Sequence, residues 1–83
     1  MELTENTESA SVLFTQALDA QNANNSAVAQ ILYEDVLTIE PLNSEANHNL
    51  GIIFLNRNEG EKALALFKKS LDQNPNISLY WAN

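Results

Sequence analysis

The chain has 83 residues, of which 45% are hydrophobic, with two glycines, two prolines, no cysteine and a formal net charge of −7. This length supports one small domain, and the scarcity of turn formers favours helices over an all-β fold. The absence of cysteine excludes disulfides and thiolate metal sites. The sequence has neither an apolar run of about 20 residues nor a basic and apolar leader, so we expect a cytoplasmic protein.

Charge is distributed unevenly along the chain. Residues 1–42 contain seven carboxylates and no Lys or Arg, whereas residues 43–83 contain four acids and four bases. An acidic first half repels nucleic acid and anionic membranes. We therefore expect neither of them as a partner.

The first predicted helix, A1, spans residues 9 to about 22 and follows a loose acidic arm at residues 1–8. The stretch "QNANNS" predicts a turn, after which helix B1 runs from residue 26 or 27 to about 40. Ala29, Tyr33 and Leu37 recur every four residues in B1 and so form one buried stripe. Pro41 ends this helix because its ring disfavours helical geometry in the preceding residue.

The next predicted helix, A2, spans residues 44–57, with Asn43 or Ser44 as its cap. Gly51 lies inside A2, where glycine costs about 1 kcal/mol relative to alanine. We therefore expect Gly51 to let the paired helix approach closely.

The turn "NRNEG" separates A2 from helix B2, and Asn58 with Glu61 resembles a capping box for B2. Ala63, Phe67 and Leu71 repeat the stripe of B1. The final stretch "SLYWAN" predicts the opening of a third A helix.

An internal repeat relates the two halves of the chain. The two stretches "AQILYEDVLTIEPLN" and "ALALFKKSLDQNPNI" match at one constant offset at small, aliphatic, aromatic and proline positions: Ala29 and Ala63, Leu32 and Leu66, Tyr33 and Phe67, Leu37 and Leu71, Pro41 and Pro75. A shared offset across different residue types indicates a structural repeat.

This pattern resembles the tetratricopeptide repeat (TPR), a helix–turn–helix unit whose period of about 34 residues equals that offset. The second repeat matches the family pattern at Leu50, Gly51, Phe54, Ala63, Phe67, Ser70 and Pro75. Asn47 stands at the family's tryptophan position, Trp81 holds that position in the third repeat, and Gln16 replaces the leucine of the first. The resemblance implies an all-α antiparallel array, a right-handed α-solenoid, with an arm at residues 1–8, repeats at 9–42 and 43–77, and the start of a third repeat at 78–83.

The A helices of this family line a concave groove that holds a peptide or helical segment. The resemblance places nine residues of this chain in such a groove: Phe14, Leu18, Gln21, Glu45, His48, Asn49, Ile52, Leu55 and Asn56. Phe14 and Leu18 either contact a partner or fill core space in the degenerate first repeat. Both interpretations stay open at the level of sequence.

Catalytic and metal chemistry find little support in the sequence. His48 is the only histidine, and Glu45, three residues earlier, is one carboxylate on the same helix face. A zinc site needs more ligands than this pair supplies. Without a nucleophile with its base or a glycine-rich phosphate loop, we expect no enzyme activity, no metal and no cofactor.

Three functions are consistent with the sequence. The first is a non-enzymatic protein-interaction module that binds a protein or peptide segment in the groove. The second is the non-catalytic TPR region of a larger bacterial transferase of the glycosyltransferase, sulfotransferase or methyltransferase type, serving acceptor recognition or dimerisation. The third is self-association, as a dimer or by helix exchange, that buries Leu79, Tyr80 and Trp81 between copies.

Overall fold

The computed structural model describes residues 2–73 of the chain, with the side chains of residues 9–72. Four α-helices follow one another: α1 (Glu2–Asn22), α2 (Ser26–Ile39), α3 (Ser44–Asn56) and α4 (Gly60–Gln73). Helices α1 and α2 pack as one antiparallel pair, hairpin 1, and α3 and α4 pack as a second, hairpin 2. The fold is therefore all-α and consistent with two TPRs, as the sequence predicts. The superhelical course of the array stays a prediction.

Helix α1 begins at Glu2 and not at the predicted residue 9. The stretch from Glu2 to Glu8 contains neither glycine nor proline, and its acidic residues suit the positive end of the helix dipole. Its charge favours a loose arm, but nothing in its composition interrupts a helix. The backbone of residues 2–8 is accordingly helical.

Both helical hairpins close through the same kind of turn. In hairpin 1, the Asn25 N–H donates to the Ala20 carbonyl (2.8 Å) and the Asn24 N–H to the Gln21 carbonyl (3.0 Å). Asn24 has φ 63°, so it occupies the left-handed region. Together these features define a Schellman motif, which satisfies the last carbonyls of a helix.

Hairpin 2 contains the same turn at the equivalent position of the second repeat. The Glu59 N–H donates to the Phe54 carbonyl (2.9 Å), the Asn58 N–H donates to the Leu55 carbonyl (3.0 Å), and Asn58 also has φ 63°. Helix α4 then begins at Gly60. The predicted capping box of Asn58 with Glu61 is therefore wrong, because Asn58 ends α3 instead of capping α4.

The start of α3 is capped as predicted. The side-chain oxygen of Asn43 accepts a hydrogen bond from the Ala46 N–H at 2.9 Å, which satisfies one of the free donors at a helix start. The end of α2 also agrees with the sequence, since the helix stops at Ile39 and Pro41 follows its C-cap.

Small side chains allow the helices of each pair to approach closely. Ala17 and Ala29 in hairpin 1 are fully buried, as are Tyr33 and Val36. In hairpin 2, Gly51 lies against the ring of Phe67, and a Cβ added at residue 51 would lie 2.6 Å from the ring's Cε1. The predicted close approach at Gly51 is confirmed.

Among residues 2–73, no helix is both long enough and apolar enough to cross a bilayer. The predicted third repeat, which includes Leu79, Tyr80 and Trp81, lies outside the described residues.

Candidate interaction surfaces

Three predicted groove residues lie along one face of α1. Phe14, Leu18 and Gln21 recur at intervals of four and three residues, which places them one above the other on a helix. Leu18 is 36% exposed, while Phe14 and Gln21 are half-buried. Leu18 is therefore the most accessible apolar side chain of this face.

Phe14 packs inside hairpin 1. Its ring meets the ring of Tyr33 on α2 edge to face, with centroids 5.8 Å apart and an interplanar angle of 64°. This is a favoured geometry for two aromatic rings. Of the two interpretations that the sequence leaves open, packing is thus observed for Phe14, and contact with a partner stays a prediction.

Gln21 is engaged by the same tyrosine. The buried Tyr33 hydroxyl donates a hydrogen bond of 2.6 Å to the side-chain oxygen of Gln21. A buried hydroxyl without a partner would destabilise the hairpin. One atom of this predicted groove residue therefore serves to join α1 to α2.

The equivalent face of α3 contains His48, Ile52 and Leu55, which occupy the repeat positions of Phe14, Leu18 and Gln21. Leu55 is 46% exposed, and His48 and Ile52 are half-buried. The flanking polar residues of the predicted groove are also accessible: Glu45 and Asn56 are exposed and Asn49 is half-buried.

His48 contacts the other helix of its pair in the same way as Phe14 does. Its imidazole lies 5.8 Å from the Phe67 ring, centroid to centroid, with the planes inclined by 51°. Loss of water around the ring lowers the pKa of His48 below its ordinary value of 6.5. The neutral imidazole, which resembles an aromatic hydrocarbon ring more closely, is therefore favoured in the folded chain.

The two ring pairs are absent from the sequence-based predictions. Phe14 with Tyr33 and His48 with Phe67 occupy the same positions of successive repeats. The repeat offset that relates Phe14 to His48 is a signal that could have found them. The pairs were missed because His48 was assigned to partner binding only, and because the core-filling interpretation of Phe14 named no residue that it would contact.

A buried asparagine replaces the tryptophan that the family resemblance implies. Asn47 is 1% exposed, and its side-chain amide donates to the Asn43 carbonyl at 3.0 Å. Ser70 is likewise buried and donates to the Ser44 carbonyl at 2.9 Å. The Asn47 hydrogen bond thus stays within the start of α3, whereas the Ser70 hydrogen bond joins α4 to the beginning of α3.

The described residues contain no group of three or more His, Asp or Glu side chains that could hold a metal ion. A shallow depression lies at the turn between α3 and α4 and is lined by Asn58, Glu59, Gly60, Glu61 and Lys62. Lys62 forms an ion pair with Glu59 at 3.1 Å and lies 5.5 Å above the Phe54 ring centroid. The Lys62 side chain therefore spans the turn, from the beginning of α4 to the Phe54 ring on α3.

The nine predicted groove residues divide between the two hairpins. Hairpin 1 presents Leu18, and hairpin 2 presents Leu55 beside exposed amide and acid groups. Each face is a half-exposed stripe of apolar side chains on an A helix. Their union into one concave groove stays a prediction.

Comparison with known proteins identifies several cyanobacterial relatives that carry the same name. A 68-residue alignment, covering 78% of the chain, is 35% identical to the Photosystem I assembly protein Ycf3 of Synechococcus sp. (strain CC9605). A 67-residue alignment is 37% identical to the same protein of strain WH7803, and a 79-residue alignment is 34% identical to that of Prochlorococcus marinus (strain MIT 9303). The chain is a distant homologue of Ycf3.

These alignments cover only part of each relative. The matched region is 39% of the Synechococcus proteins and 46% of the Prochlorococcus protein. The chain thus spans less than half the length of the relatives that it matches. No family model and no solved structure matches it.

Proposed function

We propose that this chain is a non-enzymatic protein-interaction module that binds protein subunits during the assembly of a larger complex. The observation that carries this proposal is the 34–37% identity, over more than three quarters of the chain, to proteins named for photosystem I assembly. Helical hairpins in tandem suit such work because they present extended surfaces to a partner. The complex to test first is therefore photosystem I.

The accessible apolar residues of the A helices are the proposed contact points. Leu18 on α1 and Leu55 on α3 occupy the predicted groove face and are 36% and 46% exposed. Contiguous apolar patches that are rimmed by polar residues are typical of binding surfaces. A partner segment with its own apolar side chains would bury these leucines, and the amides of Asn49 and Asn56 would contribute specificity.

The alternative role, as the repeat region of a bacterial transferase, gains no support from the names of these relatives. The cytoplasmic location and the absence of enzyme activity stay predictions. Self-association through Leu79, Tyr80 and Trp81 also stays a prediction.

The proposal is tested by titrating the purified chain with individual purified photosystem I subunits and with the assembled complex, by isothermal titration calorimetry. We expect saturable binding to at least one unassembled subunit and weaker binding to the assembled complex. Absence of binding to every subunit would contradict a role in photosystem I assembly.

The surface is tested with Leu18→Ser and Leu55→Ser combined. Leu64→Ser is the matched control, because Leu64 is 67% exposed on α4 and lies outside the predicted groove. Loss of two apolar contacts should weaken subunit binding about tenfold or more. Equal affinities of the double variant and the control would exclude the A-helix face as the binding surface.

A further inference from the structure

The outer face of α2 combines apolar and acidic side chains. Val28 and Ile31 are 41% and 58% exposed, and Glu34 and Asp35 follow at helical spacing and are also exposed. These residues lie opposite the buried side chains of the same helix, Ala29, Tyr33 and Val36. We call the four residues Val28, Ile31, Glu34 and Asp35 the acidic face.

The equivalent face of α4 has the opposite charge. Lys68 and Lys69 occupy the repeat positions of Glu34 and Asp35, and Ala65 occupies that of Ile31. All three residues of α4 are exposed. We call Ala65, Lys68 and Lys69 the basic face; Asp72 lies one turn beyond them.

These charges are available for contacts with another molecule. Among the side chains that the structure describes, neither lysine of the basic face forms an ion pair. Asp35 likewise forms none, and Glu34 accepts one hydrogen bond, from the side-chain amide of Gln30 at 3.1 Å. None of these four charges is needed to hold its own hairpin together.

The two faces are complementary in charge and in size. Helices α2 and α4 have the same length, 14 residues, and the charged pair occupies the same two positions of the repeat in each. In a parallel, in-register contact between α2 and α4, the large Ile31 would therefore lie over the small Ala65 while the carboxylates reach the ammonium groups. Alternation of large and small side chains favours close helix packing.

We propose that the acidic face of one copy of this chain binds the basic face of a second copy. This contact goes beyond the proposed subunit binding and uses the B helices, not the A helices. It is heterologous, so each copy keeps one unused face after pairing and further copies can add unless the assembly closes.

A second copy is favoured over a foreign basic partner because both complementary surfaces are present on the same chain. The net charge of −7 opposes association over long distances, but at physiological salt the Debye length is about 8 Å, which screens the distant charges. Close pairs retain much of their attraction. Since exposed ion pairs contribute little individually, we expect a weak association that depends on ionic strength.

Charge reversal tests the proposal directly. The acidic-face variant combines Glu34→Lys with Asp35→Lys, and the basic-face variant combines Lys68→Glu with Lys69→Glu. Sedimentation equilibrium, performed from micromolar to millimolar concentration, measures the dissociation constant of each. We expect the wild type to associate and each variant alone to dissociate about tenfold more readily, because two attractions become repulsions.

Mixing the two variants provides the decisive measurement. In the mixture, the lysines introduced on α2 of one variant can meet the carboxylates introduced on α4 of the other. Association should therefore return to within about threefold of the wild type. Net charge cannot produce this recovery: the variants carry −3 and −11, since each reversal changes the charge of −7 by two units. Two negative proteins associate only through local contacts.

The charge-matched control combines Glu8→Lys with Asp19→Lys, two acids of α1 that lie outside both faces and outside the predicted groove. This variant also carries −3 and should associate at least as well as the wild type. Far-UV circular dichroism checks that all variants retain their helices.

Three outcomes would overturn the proposal: a wild type that is monomeric up to millimolar concentration, association that persists in both charge-reversal variants, or a mixture that stays dissociated. The second would point to another self-contact, such as the predicted one at Leu79, Tyr80 and Trp81. Subunit binding is measured separately with the Leu18 and Leu55 variants, so failure of one proposal leaves the other standing.

Discussion

The ring of Phe67 lies directly over the backbone of Gly51, leaving no room for a Cβ at that position. An added Cβ would stand 2.6 Å from Cε1 and 2.8 Å from Cδ1 of the ring, closer than such atoms approach in proteins. The contact joins α3 to α4 at the centre of hairpin 2. The glycine is therefore required by packing and not by backbone conformation, since it lies within a regular helix.

Gly51→Ala should destabilise hairpin 2. Alanine is favoured over glycine in a helix by about 1 kcal/mol, but displacing the ring of Phe67 costs about 1–3 kcal/mol. We expect a net decrease of about 1 kcal/mol in the free energy of unfolding, measured by urea denaturation.

Gly60→Ala is the matched control, because nothing lies within 4 Å of a Cβ added at this first residue of α4. It should leave stability unchanged or raise it slightly. A Gly51→Ala protein as stable as the Gly60→Ala protein would show that Phe67 moves aside at no cost.

His48 should make hairpin 2 sensitive to mild acid. Burial lowers its pKa in the folded chain below 6.5, so between that lowered pKa and 6.5 the unfolded chain binds a proton that the folded chain does not. Stability must then fall as pH decreases through 6.5 and must not depend on this group above it. Because His48 is the only histidine, its pKa can be measured by NMR without assignment ambiguity.

His48→Phe is the informative variant, since it copies the ring pair of Phe14 with Tyr33 in hairpin 1. The difference in unfolding free energy between variant and wild type should grow as pH falls from about 7.5 to about 5.5. A measured pKa at or above 6.5, or a pH-independent difference, would rule out the proposed desolvation.

The hydrogen bond from Tyr33 to Gln21 should contribute measurably to the stability of hairpin 1. Tyr33→Phe removes a 2.6 Å hydrogen bond and should cost about 0.5–1.5 kcal/mol. Hairpin 2 has Phe67 and Leu55 at the equivalent positions, so the second repeat of the same chain replaces both partners by apolar residues.

A double-mutant cycle that combines Tyr33→Phe with Gln21→Leu measures the contribution of this hydrogen bond. Each single change removes one side of this hydrogen bond, whereas the double variant reproduces the apolar pair of hairpin 2. The double variant should recover part of the stability lost, with a coupling energy of about 1 kcal/mol in urea denaturation. Strict additivity would mean that water satisfies both groups equally well.

The fold was predictable because small, aliphatic, aromatic and proline residues all recur at the same offset in the sequence. The shared offset of Tyr33 and Phe67 identified both B helices, and a glycine inside a helix at residue 51 indicated close packing. The family resemblance selected Leu18 and Leu55 as groove residues, and both side chains are accessible. These features depend on spacing, which a sequence records directly.

Features that depend on the direction of a side chain or on the sign of the backbone angle φ were harder to predict. The sequence around Asn58 fits a capping box for α4 as well as it fits a turn after α3, but the φ of 63° at Asn58 places this residue in the turn. Helical spacing gives no information about the hydroxyl of Tyr33. Its hydrogen bond to Gln21 was therefore not predicted, and Gln21 was assigned only to the groove. Comparison of Asn58 with Asn24 would have revealed the turn, since the two share the repeat offset.

The left-handed backbone at Asn58 sets residue preferences that differ sharply from those of its neighbours. Side chains with a Cβ are disfavoured there by about 1–2 kcal/mol, asparagine least among them, and glycine not at all. Asn58→Gly should therefore preserve or raise stability, while Asn58→Ala should lower the free energy of unfolding by about 1 kcal/mol. Asn56→Ala is the matched control: Asn56 is exposed and lies inside α3, where alanine is the better helix former. If alanine at residue 58 were tolerated as well as at residue 56 in urea denaturation, the Schellman turn would not be what ends α3, and the equivalent Asn24 in hairpin 1 would have to be reconsidered with it.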